Sequence, residues 1–519
     1  MTLAPSLGTP LGASAEGATG TTRPAVRAKP RTSDRLAWAV VATAVLLRLV
    51  LAIGGPFQDA SRAISGDSPR YLELASNLLA TGTFGLQDEN AGHVHIGLAE
   101  LRRDRGEMPA RNAAGLLPET FRTPGYPAVI ALPLALGLPA VSVLAIQALM
   151  AGALAAVVFR IGRDRLGRPG LGLAAAAVVA LHPGLIAGDL RVLSEGPFAL
   201  ALWLGVWLGW PKARTDEAGA PGRDLAPALL GGLCLGLAAL ARPIAAPLAL
   251  CIAGWRLVAM RKRARGRDAL AALCIAIGAA GPVVAWSARN AAVAGEASLS
   301  PVPAINAWYY TAVHMDLLET GQDWSTGWPA AVAVQHQRLR GGLAPGERIT
   351  DGALRLAAAR FESDPGLYAR AMARSLGKFT LDHSAGTLWA VMGREYAPMG
   401  LRSELLSGNV GAVIANPGAA APLAWTAFNA ALALAALVGG LRLLFGGRWR
   451  EAALLGGLVV GVALATQTNG LERFRLPVIP AMALLAAAAF LKPARAAGPS
   501  SRPPLPETAV SESPARARR

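Results

Sequence analysis

The sequence has little charge for its length. Only 16% of its 519 residues are charged, whereas soluble domains carry about 25%. It has three cysteines, all inside apolar blocks, and no CxxC or Cys/His spacing typical of a metal site. It also lacks a P-loop, a GxGxxG fingerprint after a strand and an HExxH motif. The few cysteines exclude a disulfide scaffold, and the missing nucleotide motif means that energy from ATP is not implied. Together with the apolar blocks described next, the low charge also excludes a soluble enzyme and a disordered protein.

Hydrophobic residues, in contrast, are abundant and grouped. They make up 53% of the chain, in blocks of about 17–25 residues that match a hydrocarbon core of ~30 Å. The composition therefore predicts an all-α polytopic membrane protein. The net charge of +17 is interpreted as the basic excess of cytoplasmic loops, so no nucleic-acid partner is expected.

The basic clusters predict the topology. Ten apolar blocks are interpreted as spans, and this assignment puts every basic cluster on one side, with both termini cytoplasmic. Block 124–138 holds three prolines and is short for a span, so we expect an interfacial or re-entrant helix there. The ten predicted spans are 36–55, 141–159, 169–187, 193–210, 226–241, 243–260, 269–288, 421–441, 451–468 and 474–491.

This topology divides the chain into five parts. Two disordered tails enclose two groups of helices, and a second outer region separates those groups. The first group contains a long outer loop, 56–140. The five parts are the basic tail 1–35, the seven-helix module 36–292, the outer region 293–420, the three-helix segment 421–492 and the tail 493–519.

Polar chemistry collects on the predicted outer face, first around Asp67. Ser68 and Pro69 suit the N-cap and first position of a helix whose apolar residues follow a helical period. We therefore expect a short amphipathic helix on the membrane surface. Asp67 stands at its start, where a carboxylate is favoured by the helix dipole. The carboxylate either caps this helix or belongs to an active site.

Several cations and acids share that outer face. Arginine pairs bidentately with phosphate oxygens, so this group suits a phosphate-bearing substrate at the membrane surface. His93 and His95 have no partner ligand at a diagnostic spacing, so a solvated loop is the better interpretation. The outer-face groups are Arg122, Asp189, Arg191, Ser194, Glu195, Arg242, Arg289, Asn290, Glu472, Arg473 and Arg475.

In order and spacing, these motifs resemble those of the membrane glycosyltransferases of the C-type fold. The resemblance is to lipid-carrier-dependent bacterial transferases related to protein O-mannosyltransferases and to the lipid A aminoarabinose transferase. It covers roughly residues 40–310 and 466–480. The motifs are Leu47-Arg48-Leu49, Asp67-Ser68-Pro69-Arg70-Tyr71-Leu72, Arg122-Thr123-Pro124-Gly125-Tyr126-Pro127, Leu193-Ser194-Glu195, Ala241-Arg242-Pro243, Ala288-Arg289-Asn290 and Glu472-Arg473-Phe474-Arg475-Leu476-Pro477.

The resemblance implies a seven-helix catalytic module in a bacterial inner membrane, with a periplasmic active site. It maps the catalytic carboxylate onto Asp67; many relatives carry Asp-Glu where this chain has Asp67-Ser68. It also implies a polyprenyl-phosphate-linked sugar as donor. The acceptor stays open among lipid, glycan and protein, and the sugar is not specified.

From these residues we expect an inverting glycosyl transfer in which Asp67 accepts or orients the acceptor proton. Arg289 and Arg473 are the first choices for stabilising the phosphate leaving group. Glu195 and Asp189 are expected to bind sugar hydroxyls or a divalent cation. The other predicted substrate-binding residues are Arg122, Arg242 and Tyr71.

Two alternatives stay open. A transporter or flippase of lipid-linked sugars needs polar residues near the bilayer midplane and often has repeated halves. Here the spans hold few ionisable groups and show no internal repeat. A non-catalytic membrane scaffold would leave Asp67 and the arginines without a role.

Overall fold

The computed structural model describes residues 32–87, 93–211, 225–259, 265–394, 411, 420–468 and 472–490. The predicted tail 493–519 and most of the predicted tail 1–35 lie outside these ranges. The first helix begins at Thr32, four residues before the predicted span.

The described part is almost entirely helical. Its first half contains α1 Thr32–Gly54, α2 Ser68–Thr81, α3 His93–Asp104, α4 Gly125–Ala135, α5 Val143–Arg160, α6 Pro169–Leu181, α7 Pro183–Asp189, α8 Glu195–Gly209, α9 Leu225–Ala241, α10 Ala245–Val258 and α11 Arg265–Ala294. Its second half contains α12 Val302–Ile305, α13 Val313–Thr320, α14 Trp324–Gly342, α15 Ile349–Ser363, α16 Pro365–Leu381, α17 Ala385–Val391, α18 Ala420–Phe445, α19 Trp449–Ala465, α20 Glu472–Arg475 and α21 Ile479–Ala488.

Shorter elements link these helices. Two-residue strands β1 Gly85–Leu86 and β2 Leu117–Pro118 pair antiparallel, with Gly85 opposite Pro118. They bring together two parts of the long segment between α1 and α5. The remaining elements are the 3₁₀ turns Ala60–Ala63, Ala140–Ser142 and Leu476–Val478 and the π-helical segments Ile161–Arg165 and Asn306–Ala312.

Every predicted apolar block contains a helix, but ten spans are not confirmed. Within the described ranges, four helices are long and apolar enough to cross a membrane, and the bent pair α6–α7 adds a fifth if it forms one span. Other blocks fold into shorter helices, such as the 14 residues of α10 and the 10 residues of α21. The four long helices are Thr32–Gly54, Ala140–Arg165, Arg265–Ala294 and Ala420–Phe445.

Small residues let the apolar helices approach closely. A Cβ atom added to Gly232 of α9 would lie 2.2 Å from the carbonyl oxygen of Ile275 in α11. A Cβ atom at Gly278 of α11 would lie 2.4 Å from the carbonyl oxygen of Leu229. Close backbone contact through glycine is typical of helix packing in membranes. The high glycine content of the chain is therefore used, at these positions, to pack helices rather than to form turns.

The amphipathic helix after Asp67 is present, but its cap differs from the prediction. Helix α2 begins at Ser68, and Asp67 occupies the N-cap position without a side-chain capping hydrogen bond. The prediction that Ser68 is the N-cap is therefore wrong. Its hydroxyl instead donates to the carbonyl oxygen of Ser65 and accepts from the Ser65 amide. Block 124–138 forms the short apolar helix α4, as predicted for an interfacial or re-entrant element.

Candidate active site

The Asp67 carboxylate lies between two arginines from distant parts of the chain. Its Oδ1 accepts a hydrogen bond of 2.8 Å from Nη2 of Arg122, and its Oδ2 lies 3.7 Å from Nη1 of Arg473. The Asp67 side chain is 35% exposed. Because it makes no capping bond to α2, capping does not account for its position. The carboxylate instead interacts with side chains outside its own helix.

These charges control the ionisation of Asp67. Burial alone would raise the pKa of the carboxyl group, but the positive charges of Arg122, Arg473 and Arg242 bring it below its ordinary value. The hydrogen bond from Arg122 acts in the same direction. Asp67 is therefore ionised at neutral pH, and a carboxylate with several acceptor sites per oxygen can still receive a further hydrogen bond.

A second ion pair lies beside the first. Glu195, at the start of α8, pairs with Arg242 at 2.8 Å, and its other oxygen is buried with no hydrogen-bond partner in the described part of the chain. The ring of Phe474 packs against two guanidinium groups, and its centroid lies 5.1 Å from Cζ of Arg242 and 4.9 Å from Cζ of Arg473. This aromatic contact fixes the two arginines relative to each other.

Tyr71 connects these groups through packing. Its ring meets that of Tyr126 edge-on, with centroids 5.0 Å apart. Burial, and then the negative charge of Asp67, raise the pKa of the Tyr71 hydroxyl. The hydroxyl therefore stays protonated beside the carboxylate.

A small pocket with charged lining residues, called here the polar pocket, lies beside Arg473 and holds about 230 Å³ of space free of protein atoms, counted out to its mouth. Two arginines and two glutamates line it, and Arg191 is fixed there by a 2.7 Å hydrogen bond from its Nε to the Ser65 hydroxyl. Arg473 brings a buried Nε that has no hydrogen-bond partner among the residues described. The guanidinium donors suit an anionic group. The pocket is lined by Gly184, Ala187, Gly188, Arg191, Leu193, Glu195, Ser384, Thr387, Glu472, Arg473 and Leu476.

A wider cleft lies beside Arg122, the partner of Asp67 Oδ1. It holds about 790 Å³ of space free of protein atoms, counted out to its mouth. Its walls come from residues between Arg70 and Arg122 and from the region after residue 300. Polar and apolar groups both face it, among them Arg70, Leu98, Arg102, Glu119, Arg122 and Ile305.

An apolar groove lies between α6 and α18. Its lining residues belong to these two helices and to Pro183 at the start of α7. The next residues of α7, including Gly184, line the polar pocket. Helix α7 thus borders an apolar groove on one side and an arginine-containing pocket on the other. The groove is lined by Ala177, Val178, Leu181, Pro183, Ala421, Ala424, Trp425 and Phe428.

Asp189 is engaged inside the helix bundle rather than in this cluster. Its Oδ2 accepts a 2.6 Å hydrogen bond from Nε of Arg48, and the two side chains are only 6% and 2% exposed. Arg48 also donates to the carbonyl oxygens of Ala44 and Ala180. Arg48 thus faces protein, and the Asp189 carboxylate is held by a contact inside the bundle; its expected contact with sugar hydroxyls or a divalent cation stays a prediction.

Arg289 also lies apart from the cluster. Its guanidinium donates to the carbonyl oxygens of Phe84 and Glu119, at 2.7 and 2.5 Å, next to the paired strands of the first loop. It also stacks on Trp286, with its central carbon 4.8 Å from the ring centroid. These contacts anchor the loop that carries Arg122 and leave Arg289 without a direct contact to Asp67.

One contributor has no motif in the sequence. Gln147 of α5 is fully buried and donates to the carbonyl oxygens of Asp189 and Arg191, at 2.8 and 2.9 Å. It accepts a 2.6 Å hydrogen bond from the Tyr126 hydroxyl. Gln147 therefore fixes the turn that carries Arg191. A lone glutamine in an apolar block is the only sequence signal for this role.

Within the described residues, no group of three or more His, Cys, Asp or Glu side chains is arranged to hold a metal ion. The two acids expected to bind sugar hydroxyls or a divalent cation each pair with an arginine: Asp189 with Arg48 and Glu195 with Arg242.

No protein-family model matches the sequence, and no curated protein matches it. Solved structures of an oligosaccharyltransferase from Archaeoglobus fulgidus are similar at 14% identity. One, AglB with an inhibitory peptide and a dolichol-phosphate, gives a TM-score of 0.48 over 88% of this chain and 50% of the other. The apo form gives 0.46 over 87% and 50%, and a form tethered to an acceptor peptide gives 0.43 over 87% and 49%. This chain thus spans about half their length, and a likeness this distant assigns it neither an activity nor substrates.

Proposed function

We propose that the protein is a membrane glycosyltransferase that moves a sugar from a polyprenyl-phosphate donor to an acceptor hydroxyl on the outer face of the membrane. The observation that carries this proposal is that the two arginine partners of Asp67 line different cavities. One carboxylate oxygen contacts Arg122, which lines the cleft, and the other lies near Arg473, which lines the polar pocket. Through these partners the carboxylate is close to two separate places where a substrate can bind.

The polar pocket is the proposed phosphate site. Arg191 and Arg473 supply guanidinium donors. The Nε of Arg473 donates no hydrogen bond within the described residues, so it can donate to a bound anion. The apolar groove across α7 offers a place for the isoprenoid chain, since its lining is almost wholly hydrocarbon. A donor with a charged head and a long apolar tail fits this pair of neighbouring cavities. Arg191 and Arg473 replace Arg289 as the proposed phosphate ligands.

The cleft is the proposed entrance for the acceptor. It is lined by Arg122, which donates to Asp67. Because polar and apolar groups both line the cleft, its chemistry suits a glycan, a peptide or a lipid head group. The proposal therefore leaves the acceptor class open.

In the proposed reaction, the acceptor oxygen attacks the anomeric carbon as the bond from that carbon to the phosphate oxygen breaks. The bonding electrons leave with the polyprenyl phosphate, and the acceptor proton passes to Asp67 and then to water. The configuration at the anomeric carbon inverts. Proton acceptance of this kind contributes about 10²–10⁴ in rate, and Arg191 and Arg473 stabilise the charge that forms on the leaving phosphate.

The test uses purified protein in proteoliposomes with a panel of radiolabelled polyprenyl-phosphate sugars. The proposal predicts release of polyprenyl phosphate together with a covalently labelled acceptor or, without acceptor, slow release of free sugar. A flippase would instead move intact lipid-linked sugar between leaflets. Movement of intact donor with no bond cleavage under any condition would contradict the proposed chemistry.

A further inference from the structure

Arg473 is shared by the Asp67 cluster and the polar pocket. Among the described residues, it is the one side chain that both lies within 4 Å of the Asp67 carboxylate and lines the polar pocket. Arg122, the other partner of Asp67, lines the cleft instead. An anion that binds in the pocket and pairs with Arg473 therefore changes the positive charge that Asp67 experiences.

The two arginines hold Asp67 unequally. Arg122 donates at 2.8 Å, which is a normal charge-assisted hydrogen bond, whereas Arg473 stays at 3.7 Å, beyond hydrogen-bond length. The Arg122 side chain is 10% exposed and that of Arg473 25%. Arg473 also keeps a buried Nε without a partner. Its contact with Asp67 is thus the looser one and the easier to exchange.

We propose that Asp67 and the phosphate of the lipid donor compete for Arg473, so that donor binding leaves Asp67 held by Arg122 alone. This inference rests on the proposed function, because it takes the polar pocket as the phosphate site. The phosphate of the donor is a diester with one negative charge, and a charge-assisted hydrogen bond from Arg473 to its oxygens is a stronger contact than the present 3.7 Å pair with Asp67.

The competition has a chemical consequence. The cations around Asp67 are Arg122, Arg473 and Arg242, with the neutral hydroxyls of Tyr71 and Tyr310 also near it. Once Arg473 turns to the phosphate, the carboxylate loses part of the positive field that lowers its pKa. It becomes a better proton acceptor only when donor is in place.

Binding of sugar-free polyprenyl phosphate tests the competition without any turnover. We expect Asp67→Asn to bind it about fivefold or more tightly than wild type, since coupled ligands typically differ by 5- to 150-fold. Asp67→Ser gives a second uncharged variant if the first does not fold. Asp59→Asn is the matched control: Asp59 is another first-loop acid, paired with Arg62, and its removal should leave the affinity unchanged.

A second arm checks that Arg473 carries the effect. Arg473→Gln should weaken binding, and adding Asp67→Asn to it should restore nothing. Equal or weaker binding by both Asp67 variants would overturn the competition while leaving the phosphate site intact. Failure of wild type and all variants to bind polyprenyl phosphate would instead overturn the proposed phosphate site, and with it this inference.

Discussion

The buried pair of Arg48 and Asp189 makes a direct prediction about stability. Both side chains are almost fully buried, and the Nε–Oδ2 distance is 2.6 Å. Replacing Arg48 by Met keeps an unbranched apolar side chain but leaves the Asp189 carboxylate buried without its counter-charge. Breaking a buried pair in this way costs about 3–5 kcal/mol. The carbonyl oxygen of Ala180 also loses its donor, so we expect the upper part of that range.

The assay is reversible unfolding of the purified protein in mixed detergent micelles, followed by tryptophan fluorescence. Arg48→Met should unfold at clearly lower denaturant, and adding Asp189→Asn should recover much of the loss because no buried charge is left. Asp59→Asn breaks an exposed pair and serves as the control, with little change expected. Equal stability of wild type and Arg48→Met would refute the inference that this pair fixes α1 against α6 and α7.

Three further predictions follow from the site and the topology. Arg289→Gln should destabilise the first outer loop, seen as faster proteolysis there, yet leave the affinity for polyprenyl phosphate unchanged; a large loss of affinity would return Arg289 to the phosphate site. The pKa of Asp67 lies below its ordinary value. Protonation of Asp67 should therefore not lower kcat/KM for the donor at any pH above about 5. A limb near pH 6 that disappears in Asp67→Asn would contradict that ionisation. A reporter fused after Arg265 should be cytoplasmic and one near Gly341 should be on the outer side, and the reverse result would overturn the orientation.

The sequence predicts the helical class and the local elements because these depend on nearby residues. Helix α2 follows from the spacing of apolar residues after Asp67, and the apolar blocks each contain a helix. The number of spans does not follow in the same way. Hydropathy records the length of an apolar block, whereas the helix inside it also depends on breaks such as the 52° bend between α6 and α7.

The site is predictable in part for a similar reason. Asp67, Arg122 and Arg473 were expected on one face, and tertiary folding brings them together across 55 residues and across more than 400. Asp189 and Arg289 share that face in the sequence, but each finds a closer partner, in Arg48 or in loop carbonyl groups. Helix packing decides which charged side chains pair with each other, and the periodicity of the sequence does not predict these pairs.

The central claim is that Asp67 acts on the acceptor hydroxyl, and the most direct test is sugar transfer by Asp67→Asn. Asparagine has nearly the same size and can still accept the hydrogen bond from Arg122, so the variant should fold. In proteoliposomes with labelled polyprenyl-phosphate sugar, transfer should fall by about 10²-fold or more at an unchanged level of folded protein. Asp59→Asn should retain transfer. Near-normal transfer by folded Asp67→Asn would contradict the account at its centre.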